Sequence, residues 1–372
     1  MSTLATATIR DRIRGCLLGN AIGDAYGLAT EFMITKVAKE LYGNGPIAFG
    51  TDPGYPVWED HHRPITDRND FTDDTDQMLV MLQSLQQTRD GVLHPINFAQ
   101  RLTEWEHRGI VEIGADPGRG LGFTVGSVLS HREFSNNPHR AAFEVWDVAG
   151  RDLAPNGAVM RTAVAGVERF WDEPRVVENA MAAAKITHAD PRSIVSALIS
   201  SVLISRFLRG GGSNVAEDQG RFLLQQTHVV PPSQHGQRVQ DQWTAEMESM
   251  CFPQSMGQLQ LGAGGSIGYT FKCIGIGYYG ATRRQDPSPT APEYGGGDGL
   301  FRGLMEQVTI EGGDADTNCA VMGSLLGARF GLQGGIPENW WRNLQHVDWL
   351  SETIDSYTNR VLADYEAYTQ SQ

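Results

Sequence analysis

Two short runs at opposite ends of this 372-residue chain constrain its fold more than anything between them. One reads Phe71-Thr72-Asp73-Asp74-Thr75-Asp76, and the other reads Glu311-Gly312-Gly313-Asp314-Ala315-Asp316-Thr317. Each packs acidic and hydroxyl side chains together just ahead of small and apolar residues. Carboxylates that close repel one another, and burying them unpaired costs several kcal/mol each. A divalent cation removes that cost, and Asp and Thr oxygens suit a hard ion such as Mg2+. The expectation is therefore that the two runs meet in space around metal.

Each run alone also has a plainer explanation. Thr72 suits an N-cap, with Asp73, Asp74 and Asp76 complementing the dipole of a helix that runs through Gln77-Met78-Leu79-Val80. Asp314 likewise suits the cap of a helix beginning near Asp316, with Gly312-Gly313 permitting a sharp turn before it. Taken together, the runs supply oxygen ligands from Thr72, Asp73, Asp74, Asp314, Asp316 and Thr317. That set exceeds what one Mg2+ takes from protein, because the ion keeps several waters. Two ions about 4 Å apart would share it, polarising a leaving oxygen and activating water.

Helical periodicity dominates the remainder. The pattern predicts helices at 8–28, 73–88, 96–108, 139–149, 158–170, 174–187, 192–208, 236–250, 298–309, 315–330 and 338–368. Strand alternation is scarce. Loops are marked by Gly43-Asn44-Gly45-Pro46, Asp116-Pro117-Gly118-Arg119-Gly120, Gly210-Gly211-Gly212, residues 285–290 and Gly295-Gly296-Gly297. None reads as a linker between domains, since the strongest motifs lie far apart and must converge. The expected architecture is a single all-α domain over residues 8–368 with tails at 1–7 and 369–372.

In the first helix, Asn20, Asp24, Gly27 and Glu31 share one face among apolar neighbours. Gly15, Gly19, Gly23 and Gly27 each cost about 1 kcal/mol relative to Ala in a helix interior. Their repetition points to close backbone packing or close approach to a ligand; a solvated face is the plainer alternative.

Whole-chain properties exclude several classes. The net charge of −14 argues against non-specific binding to nucleic acid or anionic membranes. Cys16, Cys251, Cys273 and Cys319 show no zinc-type spacing and read as reduced, buried thiols. The N-terminal residues lack the pattern of a secretory signal, so an intracellular, cytoplasmic location is expected. The apolar stretch from Ile194 to Leu208 is short and interrupted by Ser and Arg, which suits a buried helix rather than a membrane span.

Several segments in order resemble the ADP-ribosylglycohydrolase family. They are Gly15-Cys16-Leu17-Leu18-Gly19-Asn20-Ala21-Ile22-Gly23-Asp24 with Glu31, the run from Phe71 to Asp76, and Gly312 to Thr317 followed by Gly323-Ser324-Leu325-Leu326-Gly327-Ala328. Asn156-Gly157-Ala158-Val159-Met160-Arg161, Thr187-His188-Ala189-Asp190 and Ile336-Pro337-Glu338-Asn339-Trp340 complete the set, so the likeness spans about Arg12 to Trp340. The resemblance implies an all-α fold with two Mg2+ ions, or Mn2+ in some members. It also implies hydrolysis of the bond between the ADP-ribose anomeric carbon and an acceptor on a protein or small molecule.

Carried over by residue, the family's metal ligands fall on Thr72, Asp73, Asp74, Asp314, Asp316 and Thr317. Glu31 matches a mobile glutamate near the metals in one branch, and Asp73, Asp74, Glu31 and Asp314 are the candidate catalytic groups. Asn156, Gly157 and His188 match the ADP-ribose site, and Gly120 and Gly122 resemble glycines near the diphosphate. On the residues alone, His188 reads as structural, and Arg161 as a tie between helices. Trp340, Trp341 and Trp349 read as core or rim aromatics.

Three segments depart from the family pattern: Arg151-Asp152-Leu153-Ala154-Pro155, Thr270-Phe271-Lys272-Cys273 without an acidic residue, and the Gln-rich stretch 210–262. All three bear on the choice of acceptor. Alternative functions are hydrolysis of free ADP-ribose derivatives such as the 1″-phosphate, and a non-catalytic, crystallin-like or ADP-ribose-binding role. Intact acid and threonine ligands speak against the latter. A monomer is expected.

Overall fold

The computed structural model describes residues 4–60, 69–212, 237–283 and 296–372. The loop expected at 285–290, Gly295, and the part of 210–262 between 213 and 236 lie outside these residues. In chain order the helices are α1 (Thr6–Gly27), α2 (Thr35–Tyr42), α3 (Asp73–Gln86), α4 (Pro95–Arg108) and α5 (Phe123–Leu129). They continue with α6 (Pro138–Val148), α7 (Ala163–Val167), α8 (Glu173–Lys185), α9 (Pro191–Leu208) and α10 (Gln237–Cys251). The last are α11 (Thr270–Thr282), α12 (Gly296–Glu311), α13 (Ala315–Phe330), α14 (Glu338–Arg342) and α15 (Val347–Gln370). Among the described residues, extended pairing is limited to isolated bridges. The fold is all-α.

Local chemistry explains where many helices begin. Asn137, Asp172 and Asp190 each accept a backbone N–H from the first turn of α6, α8 and α9, and Pro follows each at the start of the helix. That combination satisfies one orphan donor and removes the need for another. α9 is 18 residues long and apolar enough to meet the composition of a membrane span, contrary to the expectation that it was too short and polar. In the structure it is 94% buried within the protein.

The organising contact is between α1 and α13. A Cβ added to Gly19 would lie 2.4 Å from the Gly323 carbonyl oxygen, and one added to Gly23 would lie 2.1 Å from that of Cys319. Gly15 meets Gly327, and Gly27 meets Ala315, in the same way. Successive turns thus pair in antiparallel register with backbone against backbone, closer than side chains normally permit. The contact buries the stripe of α1, with Asn20 and Asp24 fully enclosed, so the solvated-face alternative does not hold. It also sets the C-terminal end of α1 beside the N-terminal end of α13.

Several expected helices differ. Within 158–170 only Ala163–Val167 is α-helical, because Asn156 to Thr162 forms successive turns around the Asn156 carbonyl. The span 338–368 is two helices, broken before Val347 by His346 at φ +57. Helices α2, α5 and α11 lie where no helix was expected. Trp340 is in the core, stacked on Tyr26 at 4.6 Å, while Trp341 and Trp349 pack at its edge. The two ends of the chain meet as well, since Arg14 pairs with Asp355 on α15 at 2.9 Å.

Candidate metal centre

Three segments converge at the end of α1. Beyond its last turn, the chain from Glu31 to Met33 is pinned to Gly313, with Phe32 N–H donating to Gly313 O (2.6 Å) and Gly313 N–H to Met33 O (2.7 Å). Gly313 sits at φ +78, where a side chain would also strike Leu261 O at 2.2 Å, so glycine is required on both counts. Glu31 is thereby fixed beside the turn that starts α13.

Asp24, in the last turns of α1, receives the start of α3. The Thr72 N–H lies 3.0 Å from Oδ2 and the Thr75 N–H also 3.0 Å, while the hydroxyls donate at 2.8 Å (Thr72) and 2.6 Å (Thr75). A carboxylate from another helix thus satisfies N–H groups that the N-terminus of α3 leaves open. Thr72 does cap its own helix, accepting the Asp74 N–H at 3.4 Å, as the plainer explanation had it. Asp314 makes no side-chain cap to α13. Instead its Oδ2 accepts the Asn156 amide at 2.7 Å.

The two acidic runs therefore meet, and Asp24 and Glu31 join them. One carboxylate oxygen each from Asp24, Asp74 and Asp316 lie within 4.8 Å of one another, and so do those of Glu31, Asp314 and Asp316. Asp316 belongs to both triads. Thr317 Oγ1 donates to Asp74 Oδ1 at 3.2 Å across the junction of the two runs. Asp73 is outside both triads; Gln77 Nε2 donates to its Oδ2 at 2.8 Å. Asp24, absent from the expected ligand set, takes a place there. Its legible signals were its place in the polar stripe of the first helix and at the end of the first family-like segment.

The electrostatics are those of a site built for positive charge. Burial, then the charges of Glu31, Asp314, Asp74 and Asp24, holds the Asp316 carboxyl well above the usual range. Burial and neighbouring acids do the same to Asp73 and Asp74. Burial raises Asp24 to about 7, even against its hydrogen bonds from Thr75 and Thr72. Asp74 Oδ2 and Asp316 Oδ1 are buried without a hydrogen-bond partner. Buried oxygens in native proteins are rarely left so. Hard oxygen donors, clustered and left without a partner at Asp74 Oδ2 and Asp316 Oδ1, fit a divalent cation.

The remaining candidates surround this cluster. Gly120, at φ +70, lies so close to Asp73 that a Cβ there would come 2.6 Å from Oδ1. Arg119 anchors that loop through Asp76 (2.9 and 3.0 Å) and Asp70 (2.8 Å). Gly122 has open space about it at the start of α5 and is not brought against the acids. Asn156 N–H donates to Gly268 O at 2.9 Å, and Gly157 lies against the His188 ring. His188 is buried, and burial followed by the Arg161 charge lowers its pKa to about 3, so the ring is neutral. Arg161 ties α3 to the end of α8 by buried hydrogen bonds, as expected.

Of the departing segments, Ala154 to Asn156 pairs with Gly268 to Thr270 and so presents Asn156 to Asp314. Lys272 donates to Gln260 O (2.8 Å) and Ser266 Oγ (2.6 Å), securing the loop that carries Gly268. All four cysteines are free and buried.

Comparison with known proteins fits this geometry. The profile of the ADP-ribosylglycohydrolase family matches residues 5–369. The chain is 26% identical over 360 residues to ADP-ribosylhydrolase ARH3 of Homo sapiens, covering 90% of this chain and 89% of that one. It is 23% identical over 344 residues to the ADP-ribosyl-[dinitrogen reductase] glycohydrolase of Rhodospirillum rubrum, covering 91% of each. A solved structure, an ADP-ribosylglycohydrolase-related protein complex, superposes with a TM-score of 0.61 at 23% identity, over 95% of this chain and 99% of that one. This chain belongs to the ADP-ribosylglycohydrolase family and is a hydrolase.

Proposed function

We propose that the protein is a divalent-metal-dependent hydrolase that cleaves the bond between the ADP-ribose anomeric carbon and an acceptor on a protein side chain or small molecule. The observation that carries this reading is the pair of carboxylate triads sharing Asp316, with orphaned buried oxygens on Asp74 and Asp316. Asp24, Glu31, Asp74, Asp314 and Asp316 would hold two Mg2+ or Mn2+ ions, with Thr72, Asp73 and Thr317 completing the set. Such ions, when bound, supply Lewis acidity toward sugar oxygens and water.

The side chains supply the rest. Cleavage at an anomeric carbon develops positive charge on the sugar, and surrounding carboxylate oxygens stabilise it. Glu31, Asp73 and Asp74 are assigned the proton of an attacking water, since such a base must reach it directly or through one water. Asn156 holds Asp314 in place through its amide. Gly157 and His188 form a wall for the ribose, and the Gly120 to Gly122 segment is assigned to the diphosphate. Cations held by these carboxylates would offset the negative cluster and so permit an anionic ligand in an acidic protein.

The test is side-by-side turnover of ADP-ribosyl-arginine, ADP-ribosyl-serine and ADP-ribose 1″-phosphate, following ADP-ribose release with Mg2+, with Mn2+ and with a chelator. The expected result is metal-dependent release from one of the two amino-acid conjugates in excess over the phosphate. Absence of turnover of all three with either ion contradicts the proposal.

A further inference from the structure

A buried chain of hydrogen bonds runs from the acidic cluster to His188. Gln77 Nε2 donates to Asp73 Oδ2 (2.8 Å), and Arg161 Nη1 donates to Gln77 Oε1 (2.7 Å). Arg161 Nη2 donates to Thr187 Oγ1 (2.5 Å) and to Ala183 O (3.1 Å), and Thr187 Oγ1 lies 2.8 Å from His188 Nδ1. Gln77 and Arg161 are 0% exposed, Thr187 1% and His188 2%. Such an arrangement is costly unless each member is satisfied.

The direction of the Arg161–Thr187 bond follows from what each group can do. A guanidinium only donates, so the Thr187 hydroxyl accepts from Arg161 and has its own proton left for Nδ1. A neutral imidazole that accepts at Nδ1 carries its hydrogen on Nε2. His188 Nε2 is buried and has no partner among the described residues. A Cβ on Gly157 would fall 3.4 Å from Nε2 and 3.2 Å from Cε1, so glycine lets this turn lie close against that edge of the ring. The neighbour of Gly157 is Asn156, which holds Asp314. The orphaned donor thus borders the wall of the acidic cluster.

We propose that Gln77, Arg161 and Thr187 are positioning residues that fix His188 in its Nε2–H tautomer, as a donor to a hydroxyl or phosphoryl oxygen of the ligand. The contact with ADP-ribose rests on the proposed function; the tautomer does not. Asp73 anchors the far end of the chain, which explains why its carboxylate is turned to Gln77 and lies outside both triads. Arg161 is fully enclosed, so its effect reaches the ligand through Thr187 and His188 on one side and through Gln77 and Asp73 on the other.

Long-range proton–nitrogen NMR correlation on histidine-labelled, ligand-free protein tests the inference, with His188→Gln used to assign the resonance. The expected spectrum shows Nε2 protonated and Nδ1 accepting in the wild type and in Thr187→Ser, and a mixture or the opposite tautomer in Thr187→Val. Calorimetry with ADP-ribose and Mg2+ should show about tenfold weaker binding for Thr187→Val, the worth of one misdirected hydrogen bond, with recovery in Thr187→Ser. An Nδ1–H or cationic ring in the wild type overturns the inference, and needs no variant to fold. So does an unchanged tautomer in Thr187→Val. Wild-type protein that shows the expected tautomer but fails to bind ADP-ribose refutes the proposed function and leaves the relay standing.

Discussion

Asp74 and Asp76 lie two residues apart in the first turn of α3, and burial raises both carboxyls, yet the groups that face them are of opposite charge. Asp76 faces Arg119, which donates to both its oxygens, and the Trp105 indole N–H at 3.0 Å. Arg119 also reaches Asp70 and lies over the Phe71 ring at 5.1 Å. Asp74 faces Asp24, Asp73 and Asp314, with the Thr317 hydroxyl as its side-chain donor. One carboxylate is compensated from within the protein and holds a loop in place. The other is uncompensated and calls for a ligand. Burial alone does not separate a structural acid from a functional one; the sign of what faces it does.

Substitutions on the two sides should therefore act in opposite ways. The largest effect is expected for Asp316→Asn, which removes the acid common to both triads. Hydrolysis should fall by about a thousandfold or more, on the scale of losing a principal transition-state interaction. Thermal unfolding of the metal-free variant should occur at the same or a higher temperature than in the wild type, because repulsion has been relieved. On the other side, Asp76→Asn should destabilise the fold by about 3 kcal/mol, by stranding Arg119, read as a lower denaturant midpoint. A metal-free Asp316→Asn protein that unfolds more readily than Asp76→Asn would break the comparison.

The acid runs and the glycine stripe of α1 were legible because each repeats a chemical oddity too costly to be incidental. Asp24 was harder to place. Its partners are the backbone and hydroxyls of Thr72 and Thr75, 48 and 51 positions away, and nothing local announces a helix cap supplied by another helix. Helix α11 was missed because nearly all its side chains are buried, which erases the periodic stripe, and Gly275, Gly277 and Gly280 depress its apparent propensity. The break before Val347 depends on His346 in a left-handed conformation, which histidine seldom advertises. The tie made by Arg161 was foreseen in kind, while its partners Gln77 and Thr187 required the packing of α3 against the segment after α8.

A smaller effect sharpens the same contrast through pH. Asp24 is raised from an ordinary 3.8 to about 7, and Asp73, Asp74 and Asp316 are raised well above their ordinary values. The folded, metal-free protein therefore keeps protons that the unfolded chain releases. Their contribution to stability is fully present below the ordinary carboxylate value, and for Asp24 is lost as pH rises through about 7. Cations compete with those protons. Added Mg2+ should accordingly raise the unfolding temperature more at about pH 8 than at about pH 5. An equal shift at both values would contradict the raised carboxyls.

Anomalous scattering from crystals soaked in Mn2+ bears most directly on the central claim, that the two distant acid runs close around cations. Two peaks are expected among Asp24, Glu31, Asp74, Asp314 and Asp316, on either side of the shared Asp316. Density for manganese elsewhere, with none among these carboxylates, would contradict it.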